Sequence, residues 1–584
     1  MSTNEQLQNL RHSTAHLIAA AVLELYPGTK LTIGPAIENG FYYDFDFGNN
    51  KIYEEDFPKI EKKMQKILKT WDSFSHREVS EKEAKEYYKD NPYKLDLIQG
   101  IVERGEKITF YKAGNFEDLC RGGHSENPKK DIGAFTLLSI AGAYWKGDEK
   151  NPMLTRIYGT AFPTKKELDE YLEMLEEAKK RDHKKLGKEL DLFVFSETVG
   201  KGLPLWTPKG SAIRRILERF IVDEEIKRGY LHVYTPDLAK IELYEKSGHY
   251  PYYKDSMYAP ITIDDEKFML RPMSCPHHFE LYLSNPHSYR ELPIRYAELA
   301  KLYRYEQSGE LAGLQRVRAF TLADAHIVAR VDQAEEEINR VLDLIEFVAH
   351  TFGLVHGKDY HYRLSLGDRA EEKKYFKDDK SWDKAEEILR KVLQDRKSHF
   401  VEAPGEAAFY GPKIDVQMKN VNGKEDTAFT VQYDFVMPKR FNLTYINENG
   451  QEEQPIVIHR SSIGAIERVM AFLIEHYAGA FPLWLAPVQV VLLPIADRHI
   501  EYTEKAANQL RDAGIRVETD VRSERLQAKI REATLQKVPF MGIIGDKEIA
   551  ESAISVRKRN GEDLGQIKIA SFLEQLVKDI DKKS

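Results

Sequence analysis

Thr427-Ala428-Phe429-Thr430-Val431-Gln432-Tyr433-Asp434-Phe435 is the longest strand-like run in the chain. It is rich in β-branched and aromatic residues, which suit a pleated, half-buried surface. Shorter runs of the same kind flank it at Leu231-His232-Val233-Tyr234, Lys267-Phe268-Met269-Leu270 and Ile456-Val457-Ile458. Helical stretches at 333–352 and 383–395 separate them without regular alternation. Residues 191–484 therefore read as an α+β domain around a largely antiparallel sheet.

After Pro482–Pro487 the pattern changes. Val488–Leu493, Ile515–Val521 and Phe540–Ile544 read as strands, with helices at 501–513 and 524–536 between them. This β-α-β-α-β order predicts a small α/β domain with a mostly parallel sheet over 485–584. That segment holds 17 Lys/Arg and 16 Asp/Glu, a net +1 within a chain of net charge −8, so the other 484 residues carry −9. Towards the N-terminus, Leu7, Leu10, Ala15, Ile18, Val22 and Leu25 predict an amphipathic helix over Asn4–Leu25. Gly40–Phe47 reads as a strand, and 59–70 and 80–88 as helices. Leu168, Leu172, Leu175 and Ala178 predict one long charged helix over 164–190 joining two domains; a surface helix within one domain fits the same pattern. The expected boundaries are 1–163, the connector 164–190, 191–484 and 485–584.

The 584 residues suffice for about three to five domains. With 42% hydrophobic and 31% charged residues, the composition excludes a disordered chain, a collagen and a coiled coil. The longest apolar runs are too short to span a membrane, and Met1–Leu7 lacks the features of a signal peptide. Two cysteines, Cys120 and Cys275, exclude a disulfide framework and fit a cytoplasmic protein. The net charge does not advertise nucleic-acid binding, which depends on local patches.

Several groups of residues could carry chemistry. His12 and His16 share one helical face, and Cys120 and His124 are also four apart. Three His and one Cys suffice for a zinc site. They could instead position and activate a water or sugar hydroxyl for hydrolysis, or be an unrelated His pair on a helix surface. Cys275 lies in Arg271-Pro272-Met273-Ser274-Cys275-Pro276-His277-His278; His326 and His459 are candidate co-ligands that spacing cannot select from 18 histidines. Arg304-Tyr305-Glu306, Arg316-Val317-Arg318 and Gly464-Ala465-Ile466-Glu467-Arg468 supply guanidinium groups suited to polyphosphate, or plain surface charge.

Taken in order, these pieces resemble the threonyl-tRNA synthetases, a family of class II aminoacyl-tRNA synthetases, over nearly the whole chain. Arg11–His16, Cys120–His124 and Ala141-Gly142-Ala143-Tyr144-Trp145 resemble the editing domain. Glu245–His249, Arg304–Glu306 and Gly464–Arg468 resemble motifs 1, 2 and 3, and the segment from Val488 the anticodon-binding domain. The resemblance implies a threonine–tRNA ligase that forms threonyl-adenylate from L-threonine and ATP with Mg²⁺. It implies transfer of threonine to tRNA(Thr) and hydrolysis of mischarged seryl-tRNA(Thr). It implies one Zn²⁺ on Cys275, His326 and His459 in the catalytic domain. It implies that Arg304, Arg316 and Arg468 bind ATP and that Glu306 faces the adenine. Asp324, Tyr410, Lys413 and Gln432 line the amino-acid pocket and the reacting tRNA end in this reading. The editing site would comprise His12, His16, Tyr43, Lys94, Asp118, Cys120 and His124, without zinc. Arg531, Glu548 and Arg557 match anticodon-reading positions. A cytoplasmic homodimer that makes no use of a membrane is expected, since motif 1 forms the dimer interface in this class.

The chain departs from the family's pattern in four places. It begins at the editing-like region, so the small N-terminal domain common in the family is expected to be absent. Leu322-Ala323 stands where the family often has Gln-Asp. Ser523 and Lys537 stand where Asn and Arg are common near the anticodon. Leu322 leaves room for a rival, a tRNA-binding paralogue that no longer activates threonine. A free-standing metal hydrolase built on His12, His16, Cys120 and His124 is a second rival, which leaves two-thirds of the chain unused.

Overall fold

The structure is a computed structural model that describes residues 4–371, 374–421 and 423–583. The chain divides into two compact units, Met1–Leu175 and Glu176–Ser584. None of the described helices is long and apolar enough to cross a membrane.

The second unit is built on an eight-stranded sheet. Its strands in chain order are β1 (Leu231–His232), β2 (Ile294–Tyr303), β3 (Ala319–Ala329), β4 (Tyr360–Leu366), β5 (Phe400–Pro404), β6 (Lys413–Lys419), β7 (Glu425–Asp434) and β8 (Ile456–Ala465). They lie in the order β1-β2-β3-β8-β7-β6-β4-β5. Only the outermost pairs, β1 with β2 and β4 with β5, are parallel. The expected antiparallel α+β core is thus present. On β7, Phe429, Val431 and Tyr433 are buried in the core shared with Ile338, Val341 and Ile345 of the helix Ala334–Thr351. Each such side chain stabilises the packing by roughly 1.5–3 kcal/mol. The alternate residues Thr430 and Gln432 point to the other face and are only partly buried.

Register then brings chemistry together. Tyr296 on β2, His326 on β3, His459 on β8, Gln432 on β7 and Lys413 on β6 are successive cross-strand partners. Two residues along, Glu298, Asp324, Ser461, Thr430 and Asp415 form a second row on the same face.

The helix expected over 164–190 is two helices, Lys165–Arg181 and His183–Glu189. Asp182 breaks it: its backbone leaves the helical region at ψ 120°, and its carboxylate caps the second helix through the Lys184 amide. Beyond Pro487, strands Val517–Thr519, Val490–Pro494 and Phe540–Ile544 are parallel, as expected. Two antiparallel strands, Ala553–Lys558 and Asp563–Lys568, and the helix Ile569–Asp581 extend that domain beyond its sequence reading.

In the first unit, the helix Asn4–Leu25 packs on strands Gly40–Asp46 and Met153–Phe162. Its run Ala19-Ala20-Ala21 is almost wholly buried. A separate three-stranded sheet, Ser75–Val79, Ile108–Ala113 and Phe116–Leu119, ends one residue before Cys120.

Candidate active sites

The first unit places all seven expected editing residues in or beside one cavity. His12 and His16 come from the buried face of the N-terminal helix. Cys120 and His124 come from the loop that leaves the three-stranded sheet. Gly122 and Gly123 turn this loop at φ +100° and +79°, so His124 folds back over Cys120. The Cys120 Sγ lies 3.3 Å from Nε2 of His124 and 3.6 Å from Nε2 of His12. The ligand atoms of His12, His16, Cys120 and His124 all lie within 4.8 Å of one another. His12 Nδ1 lies 3.0 Å from the Gly123 carbonyl oxygen; it donates there, leaving Nε2 as a free acceptor facing the thiol.

Below them sits a buried ion pair. Lys94 Nζ is 2.6 Å from Asp118 Oδ1, and both side chains are 2% exposed. The hydroxyls of Tyr43 and Tyr88 donate to the same carboxylate at 2.8 and 3.0 Å. Tyr88 and Phe74, whose ring stacks on His124 at 3.9 Å, were not legible in the sequence. Each reaches the site through tertiary packing, without a motif. Burial lowers the basicity of His12, and of His16 far more, where His12 and Lys94 add to the effect. Burial also pushes the Cys120 thiol up to about 11. Around neutral pH the cluster therefore offers uncharged imidazoles and a thiol. The cavity of about 510 Å³ is lined by His12, His16, Tyr43, Lys94, Asp118 and Cys120 among others.

In the second unit, Cys275 opens the helix Cys275–Leu283, while His326 and His459 face each other across β3 and β8. Their three ligand atoms lie within 4.8 Å of one another, and all three residues are buried. The other ring nitrogens are occupied. His459 Nε2 lies 2.7 Å from Asp434 Oδ2, and His326 Nδ1 lies 2.8 Å from His278 Nδ1. His278 is held in turn by Glu298 at 3.1 Å. Outer-shell partners of this kind fix the tautomer and aim of metal-binding imidazoles. One sulfur and two imidazole nitrogens suit zinc or another borderline-soft divalent cation, so the residues fit the expected metal. Burial pushes the Cys275 thiol far up and His326 far down. His278 and Glu298 are additions to the sequence reading. His278 had a visible signal, standing three residues after Cys275.

Beside this triad lies a cleft of about 260 Å³, lined by Arg304, Glu306, Arg316, Leu322, Gln432 and Arg468 among others. Arg304 sits over the Phe320 ring at 5.2 Å. Arg316 pairs with Glu306 at 2.8 Å. Arg468 donates to the carbonyl oxygens of Gln315 and Thr427 at 3.3 and 3.2 Å. Tyr410 stacks on His459 at 4.9 Å and bonds Gln432. Asp324 bonds Ser274; burial raises its carboxyl, and that hydrogen bond opposes the rise. Lys413 is tied down by Asp415 at 2.6 Å. Leu322 stands at a β-bulge between β3 and β8 and walls the cleft, where an amide would have offered hydrogen bonds.

The expected anticodon residues occupy one domain but are not equally free. Arg531 is exposed on the helix Leu526–Leu535. Glu548 accepts from the Gly545 amide at 2.9 Å and from the Ser555 hydroxyl at 2.7 Å, so its carboxylate already caps a helix. Arg557 lies two residues beyond Ser555 on the same strand.

The family comparisons assign this antiparallel sheet and its arginine-lined cleft to a class II aminoacyl-tRNA synthetase core. Residues 258–477 match the class II tRNA synthetase core domain (G, H, P, S and T), and 489–579 match an anticodon-binding domain. Residues 108–158 match the second additional domain of threonyl and alanyl tRNA synthetases. The chain is 52% identical over 581 residues to a threonine–tRNA ligase of Anoxybacillus flavithermus (strain DSM 21510 / WK1), covering 99% of this chain and 89% of that one. It is 50% identical over 583 residues to threonine–tRNA ligase 1 of Bacillus subtilis (strain 168), covering 99% and 90%. Among solved structures, the RNA-binding domain of a threonyl-tRNA synthetase from Cryptosporidium parvum Iowa II aligns with TM-score 0.64 at 32% identity, over 68% of this chain and 98% of that one. The chain belongs to the threonine–tRNA ligase family.

Proposed function

We propose that this protein activates L-threonine with ATP, transfers it to tRNA(Thr), and hydrolyses seryl-tRNA(Thr) formed in error. The observation that carries this reading is the juxtaposition of the Cys275–His326–His459 triad with the arginine-lined cleft on one sheet face.

In the synthetic site, Arg304, Arg316 and Arg468 hold the ATP phosphates, with Mg²⁺ carried by the nucleotide, and Glu306 faces the adenine. The guanidinium groups stabilise the charge that develops as the threonine carboxylate attacks the α-phosphate. Cys275, His326 and His459 would hold zinc, which when bound would supply a Lewis acid able to take the amino and hydroxyl groups of threonine, and valine lacks the second. Asp324 accepts a hydrogen bond from the same hydroxyl. Gln432, Tyr410 and Lys413 position the substrate and the tRNA end.

Serine differs from threonine by one methyl group, worth only roughly 1–3 kcal/mol of discrimination, so a second site is needed. His12, His16, Cys120 and His124 form it. An uncharged imidazole there takes a proton from the attacking water. Cys120, held as a thiol, orients rather than attacks. Lys94, Asp118 and Tyr43 form the floor that fixes the substrate. Arg531, Glu548 and Arg557 belong to the anticodon-reading domain, with Glu548 acting through the turn it caps.

The cytoplasm and a homodimer complete the reading. Apolar residues stay exposed in the sequence ahead of Glu245–His249: Tyr234 is 94% exposed and Leu231, on the edge strand β1, 56%. Sedimentation velocity checks the dimer. The test of the activity is amino-acid-dependent exchange of pyrophosphate into ATP. Threonine supports it, serine supports it more weakly, and valine does not. A folded, metal-loaded protein that gives no exchange with threonine refutes the proposal.

A further inference from the structure

We infer that His183 is a positioning residue that clamps the ATP-binding turn from behind. The inference rests on the proposed synthetic site and adds a part outside its cleft. His183 opens the helix His183–Glu189 and is buried. Its Nδ1 lies 2.7 Å from Glu475 Oε1, at the end of the helix Ile466–His476 that carries Arg468. Its Nε2 lies 3.1 Å from the Leu314 amide nitrogen. A backbone amide can only donate, so Nε2 accepts and Nδ1 carries the proton given to Glu475. One tautomer therefore ties the helix that carries Arg468 to the turn that carries Leu314 and Arg316.

The turn is built to receive that ring. Gly313 has φ +52°, and a Cβ there would lie 2.2 Å from His183 Nε2. Leu314 is fully buried. The next two residues belong to the cleft: the Gln315 carbonyl accepts from Arg468 Nε at 3.3 Å, and Arg316 pairs with Glu306 at 2.8 Å. Of these four consecutive residues, the first two meet the clamp behind and the next two the charged cleft in front. Without the acceptor, the Leu314 amide is buried unpaired, and the turn shifts to find another partner. Arg316 moves with it, while Cys275, His326 and His459, anchored on the helix Cys275–Leu283 and on β3 and β8, stay in place.

The test measures KM for ATP and for threonine in pyrophosphate exchange. His183→Phe keeps a ring without the acceptor and raises KM for ATP about tenfold, as expected for one lost buried hydrogen bond, with KM for threonine within about twofold. His183→Gln restores an acceptor and returns KM for ATP to within about threefold of the original. An unchanged KM for ATP in His183→Phe overturns the inference. So do equal rises in both KM values, or a His183→Gln no better than His183→Phe. If His183→Phe does not fold, Gly313→Ala decides by the same split. If the unmodified protein shows no exchange, the proposed function fails by itself, and calorimetric ATP binding by the same variants judges the clamp.

Discussion

Single residues here act through the charge they keep or lose on burial. The imidazoles of the triad are backed by carboxylates, His459 directly by Asp434 and His326 through His278 by Glu298. Cys275→Ala is expected to lower zinc content from one per chain to none by elemental analysis, and threonine-dependent exchange by at least about a hundredfold. Loss of zinc with Cys120→Ala instead would favour a metal hydrolase. Lys94 and Asp118 show the opposite case, a buried pair whose carboxylate also accepts from the Tyr43 and Tyr88 hydroxyls. Asp118→Asn leaves Lys94 charged among apolar and aromatic neighbours, which costs about 3–5 kcal/mol in denaturant unfolding. The sequence revealed the ligands as residue types only. Choosing His326 and His459 from 18 histidines needed either the family resemblance or the strand register, because cross-strand partners 133 residues apart leave no local trace. Tyr88 and Glu298 were invisible for the same reason.

Elements carry the next level of meaning. The α+β character of 191–484 was legible because buried strands demand β-branched and aromatic runs whatever their partners. The helix Asn4–Leu25 was legible from its period. The break at Asp182 was missed because one residue leaving the helical region does not disturb a charged, leucine-spaced pattern. Asp at that place is nevertheless a helix-start signal that the spacing concealed. The turn at Gly122 shows how tightly an element can be specified. Its φ of +100° disfavours any side chain, and a Cβ would lie 2.5 Å from the Tyr111 hydroxyl oxygen. Gly122→Ala therefore strains the turn by about 1–3 kcal/mol and displaces His124. Hydrolysis of seryl-tRNA(Thr) is expected to fall at least about tenfold while threonine exchange is unchanged. An equal loss in both assays would contradict the assignment of this loop.

At the scale of the molecule, pH acts differently on stability and on chemistry. His12, His16 and His124 are held below their ordinary basicity, in each case chiefly by burial. The unfolded chain takes up protons at these positions near pH 6.5, and the folded one only at lower pH. Their contribution to stability is complete above about pH 6.5 and is lost as pH falls from there towards the folded values. Thermal unfolding followed from about pH 7.5 to about pH 5 should show Tm declining, and His16→Asn should flatten the decline. An unchanged slope in that variant would mean other groups dominate. The distribution of chemistry over the two units has a further consequence. Every residue proposed for hydrolysis lies in Met1–Leu175, and every one proposed for synthesis in Glu176–Ser584. A lesion in the first unit is then a silent fault. Output continues at full rate, and the damage surfaces downstream, as serine written into other proteins at threonine codons.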